Sequence, residues 1–129
     1  MPPPTIATVP SGRQLDLAFL AEETCAAYDT EFPDERERYG PVGVQWCRHD
    51  NQHLLNWAVL SLAFEVDFER ELEWLARILE ARDFPLARLA RDLELLADTV
   101  TRHHPDEPAL SARIFAGASF VRSHGTFLS

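Results

Sequence analysis

The stretch Trp46–Phe64 (WCRHDNQHLLNWAVLSLAF) decides the fold class. At 100° per residue Trp46, Asp50, His53, Trp57, Leu60 and Phe64 fall on one stripe, and Leu54, Ala58 and Leu62 widen it. The pattern predicts a helix over about 44–64, apolar on too many sides to lie on a surface. It is therefore expected at the centre of the domain, with other helices crossing both of its faces. Trp57 reads as core, so Trp57→Ala should cost about 3–5 kcal/mol.

Outward from this helix, Gly40, Pro41 and Gly43 mark a loop, and the charged run 34–38 a short helical turn. Ser11 is placed to cap a first helix over about 13–30, in which Leu15, Ala18, Phe19, Glu22, Cys25 and Ala26 recur at helical spacing. Asp67 can cap a third helix over about 68–82. Pro85 sits where a first-turn proline belongs, ahead of a fourth helix running to about Arg102. Asp106 can cap a fifth, over about 108–121, followed by a loose tail over 122–129. No Val/Ile/Thr alternation and no Asn-Gly or Asp-Gly signal points to a hairpin. The expectation is an all-α chain of about five helices: an extended proline-rich arm over 1–10 and a single helical domain over 11–123.

Composition narrows the function classes. The 129 residues are 46% hydrophobic and 26% charged, which is globular rather than disordered. A formal charge of −9 disfavours nucleic acid and anionic membrane surfaces as partners. All twelve basic residues are arginine, so Schiff-base chemistry on lysine is absent. No apolar run is long enough to span a bilayer, and the start lacks the pattern of a signal peptide. Two cysteines make no disulfide scaffold, so the default is a cytoplasmic protein with reduced thiols.

The run Cys47-Arg48-His49-Asp50-Asn51-Gln52-His53 is the densest polar cluster. Asp50 and His53, three apart, can share a hydrogen bond on one face. His49 and His53, four apart, have the spacing of two metal ligands, with His103 or His104 as further ligands if the fold brings them near. Cys47, in the first helical turn beside Arg48, has the setting of a low-pKa thiol, whereas Cys25 among alanines reads as packing. Trp46 and Trp57 can wall a pocket for a flat ligand or belong to the core. No P-loop, G-x-G-x-x-G or H-E-x-x-H is present, and nothing suggests an oxyanion hole, so the chain reads as non-enzymatic.

The run from Cys47 to Leu55 resembles the chromophore helix of phycobiliproteins, with Cys47, Asp50 and Leu55 in register. The rhythm downstream, an acidic turn at 65–67, a helix, Pro85 and another helix, resembles the same family over about 46–100. That resemblance implies a globin-like bundle and a linear tetrapyrrole (bilin) ligand. It implies a thioether at Cys47 and pyrrole contacts to Asp50, with His49 where the family has a propionate-binding arginine; the ligand pocket is then expected at Trp46, Cys47, His49, Asp50 and His53, with His49 or His53 as polar contacts. A bacterial sensory or regulatory domain that binds a bilin or haem, or has lost its pigment, follows from it. A ligand-free, homodimerising interaction module and a small metal-binding bundle are the alternatives.

Overall fold

The computed structural model describes residues 2–128 and is mostly helical. Two short strands, β1 (Ile6–Thr8) and β2 (Gln14–Asp16), precede five helices: α1 (Leu17–Glu31), α2 (Glu35–Leu62), α3 (Phe68–Ala81), α4 (Leu86–His103) and α5 (Pro108–His124). The all-α expectation therefore holds for the body of the chain and fails at its start. β1 and β2 pair antiparallel with Ala7 opposite Leu15. Gly12 turns the hairpin at φ 95°, and Ala7, Val9 and Leu15 point inward. The later part of the arm thus supplies the first strand of a hairpin packed on the core. Leu15, read as the first apolar position of a helix, alternates instead with exposed Gln14 and Asp16. Asp16, not Ser11, caps α1 by accepting from the Phe19 N–H at 3.0 Å.

α3 begins as expected, with Asp67 accepting from the Arg70 N–H. Pro85 stands one residue before α4 in extended backbone, and Glu107 rather than Asp106 occupies the cap of α5, without a side-chain hydrogen bond. The tail is docked rather than loose. Phe127 is buried, its N–H donates to Glu80 Oε1 at 2.7 Å, and its carbonyl accepts from Arg77.

α2 is two pieces. Gly40 takes φ 65° and ψ −163°, a conformation open to glycine but strained for other residues, and Pro41 removes the next helical N–H. The expected loop shrinks to this kink. The short piece before it is anchored by Glu35, which accepts from the Tyr28 hydroxyl of α1 and from Arg88 of α4.

The central helix is α4, not α2. Nine of its residues are buried, from Leu89 to Val100, and α1, α3 and α5 all pack on it. The stripe expected to sit at the centre lies at the partly exposed edge of α2: Asp50, His53, Trp57 and Leu60 are half-buried, Trp46 is exposed, and Phe64 is 93% exposed. α2 buries Asn51, Leu54, Leu55, Ala58 and Val59, the neighbouring face, instead. α2 follows the helical period of this stripe, but its aromatic residues mark the rim. Large aromatic side chains are seldom fully buried.

α5 approaches α3 through Gly117. A Cβ there would lie 2.7 Å from Phe68 Cε2 and 2.8 Å from Leu72 Cδ1, both buried side chains. Gly117→Ala gains up to about 1 kcal/mol of helix propensity. The overpacking costs about 1–3 kcal/mol. A lowered thermal midpoint is expected. A raised one would mean that α3 and α5 are free to separate.

Candidate functional site

A cleft of about 950 Å³ opens between α1, both pieces of α2, the end of α3 and the start of α4. One wall is aromatic: Tyr39 lies between Trp46 and Phe84, with ring centroids 6.3 and 6.2 Å away, and Leu79 and Leu89 continue the apolar surface. The kink at Gly40 turns Tyr39 toward this wall. Arg36, Arg48 and Arg82 also line the cleft, and Arg36 is paired with Asp29 at 3.0 Å.

Trp46, Cys47, His49 and Asp50 line the cleft, whereas His53 and Trp57 do not. His53 stacks on Trp57 at 5.6 Å, and Trp57 meets Trp74 of α3 edge-on at 6.3 Å. The expected Asp50–His53 hydrogen bond is not formed. Asp50 Oδ1 lies 3.2 Å from His49 Nδ1 instead. Partial burial pushes the Asp50 carboxyl above its ordinary pKa, an effect that His49 opposes. Desolvation, reinforced by neighbouring His49, holds His53 below the usual imidazole range.

Of the further ligands in the metal alternative, His103 is engaged elsewhere. His103 Nε2 lies 3.1 Å from Glu23 of α1, and its ring meets Phe19 edge-on. Among the described residues no group of three or more His, Cys, Asp or Glu side chains is placed to hold a metal ion.

The two cysteines depart most from expectation. Cys25 of α1 and Cys47 of α2 are joined as a disulfide, with Cα atoms 6.0 Å apart. Cys25 is therefore a bonded partner rather than packing, and in this state Cys47 is neither a free thiolate nor available for a thioether. Beside the disulfide lie two residues that the sequence did not single out in this role. Asn51 Nδ2 is 3.0 Å from Asp92 Oδ1 of α4 and within 3.5 Å of both sulfurs. Asp92 is 7% exposed, and its burial pushes the carboxyl up to about 7, against the hydrogen bond from Asn51. An aspartate amid the Leu/Ala pattern of α4 was the available signal, since a buried carboxyl there needs a partner.

No protein-family model, curated protein or solved structure matches this chain. Among the described residues, no helix is long and apolar enough to cross a membrane.

Proposed function

We propose that the chain is a non-catalytic regulatory or sensory domain of globin-like architecture, and that its cleft binds a flat, amphipathic ligand of the linear-tetrapyrrole class. The observation that carries this reading is the convergence of Trp46, Cys47, His49 and Asp50 on one cleft with an aromatic wall. Its volume lies at the upper end of the range of small-molecule sites. Asp50 would accept from pyrrole N–H groups, His49 would orient that carboxylate, and Arg82 would meet a propionate. Trp46, Tyr39 and Phe84 would cover the rings. With Cys47 bonded to Cys25, the complex is non-covalent.

The test adds biliverdin, and separately haemin, to the purified chain and follows visible absorbance. A saturable, shifted band that leaves the chain on denaturation is the expected result. Asp50→Ala should weaken binding about tenfold, the equivalent of one lost hydrogen bond to a charged group. A well-folded sample whose spectrum equals that of the free pigments would sink this reading.

The exposed aromatics Phe64, Trp74 and Phe115 support a second reading, an interaction module that associates with another copy of itself. It requires a mass in solution above the chain's 14.7 kDa. A monomer across the micromolar range would remove it.

A further inference from the structure

The Cys25–Cys47 disulfide joins α1 to α2 where both helices wall the cleft. Cys25 is buried, Cys47 is half-buried, and both line the cleft, so Cys47 is the more accessible of the two to an incoming thiol. The polar cluster behind the bond leaves one buried acceptor unpaired. Asn51 is fully buried, and its Nδ2 carries only two protons. Four acceptors lie within reach of that nitrogen: Asp92 Oδ1 and the Cys47 carbonyl at 3.0 Å, Cys47 Sγ at 3.4 Å and Cys25 Sγ at 3.5 Å. Asn51 Oδ1 is also buried and has no donor at all. Buried polar groups are normally satisfied, so an unpaired Asn51 Oδ1 disfavours the state that leaves it so. Two thiols would bring two S–H donors into it.

We propose that Cys25–Cys47 is a reversible thiol–disulfide exchange site, reduced by low-molecular-weight thiols in the folded protein, and that it latches α1 to α2 across the cleft. A thiolate attacks Cys47 Sγ, forming a mixed disulfide there and releasing Cys25, which takes a proton. A second thiol attacks the mixed disulfide, releases Cys47 and leaves as the small-molecule disulfide. The protein gains two electrons and two protons, and two external thiols lose them. Reduction unties the α1 wall from α2 and presents a free Cys47 thiol to the cleft. Its effect on ligand binding rests on the tetrapyrrole reading above, whereas the exchange itself does not.

The air-oxidised full chain is titrated with reduced and oxidised dithiothreitol in varying ratio. Free thiols are counted by the mass added with a maleimide, and far-UV circular dichroism is recorded on the same samples. Two thiols should appear together and reversibly while the helical signal stays intact. Thiols that appear only as helicity is lost would overturn the proposal and make the bond a structural staple. Absence of the disulfide from air-purified protein would overturn it as well. Asn51→Leu, which deletes the starved amide, should require about a tenfold higher reduced-to-oxidised ratio for half reduction, the equivalent of about 1.4 kcal/mol. An unchanged midpoint in a folded variant would refute the role given to the unpaired Asn51 amide. The thiol count needs no pigment, so a failure here is distinct from a failure to bind biliverdin.

Discussion

Asp92→Asn is expected to flatten the pH dependence of stability and to stabilise the protein above neutral pH by at most about 4 kcal/mol. The Asp92 carboxyl is raised from 3.8 to about 7 by burial in α4. A difference of about three units corresponds to about 4 kcal/mol. The sign follows from proton binding. Between pH 4 and 7 the native state holds the Asp92 proton and the unfolded state has released it, so stability falls as pH rises through that window. The contribution is fully present below the unfolded value and fully lost above the native one. Asp50 of α2 adds to the cost of the Asp92 charge; the Tyr28 hydroxyl of α1 is pushed up chiefly by burial, with Glu35 and then the Asp92 charge adding to it.

The carboxylates of Glu31, Asp34, Glu80 and Glu94 are lowered by their partners and act in the opposite sense. Their stabilisation is lost as pH falls below the ordinary carboxylate range, beneath the Asp92 window. Asparagine at 92 keeps an acceptor for Asn51, carries a donor at every pH, and cannot ionise. Urea midpoints at pH 5, 6, 7 and 8 decide the matter. The wild type should weaken across the series and converge with the variant at the acid end. Parallel curves would mean that Asp92 is ionised in the native protein throughout.

The same residue marks the boundary of what the sequence discloses. Periodicity finds helices because burial of one face is a local pattern, and α3, α4 and α5 begin within a residue of their predicted starts. Ends and rotations depend on neighbours. Leu15 fits a helix or a strand until Thr5 is seen to accept from Leu17 and β1 is seen to pair with β2. Trp46, Cys47, His49 and Asp50 were legible as one site because they share a short segment of one helix. Cys25, Asn51 and Asp92 were not, since their juxtaposition requires α1, α2 and α4 to be packed. The disulfide spans 22 residues of sequence, and nothing in that spacing distinguishes it from two separate thiols. His53 and Trp57 were assigned to the cleft by helical phase, yet the phase angle of the whole helix is set by partners the sequence does not name.

The reassignment of the central helix has the second large consequence: Leu96→Ala should destabilise the protein more than Trp57→Ala. Tryptophan is the larger side chain, and full burial would put its loss at about 3–5 kcal/mol. Trp57, however, is half-buried at the rim of α2, between His53 and Trp74, and solvent can enter the space it vacates. About 2 kcal/mol is expected there, since only part of its apolar area leaves water on folding. Leu96 is 0% exposed at the middle of α4, within the core cluster. Truncation there leaves a void that close-packed neighbours fill only in part, at a cost of about 3–4 kcal/mol. Urea unfolding of both variants at pH 6 measures the difference directly. If Trp57→Ala proved the costlier by 1 kcal/mol or more, α2 rather than α4 would organise the core, and the aromatic stripe from Trp46 to Phe64 would have to turn inward.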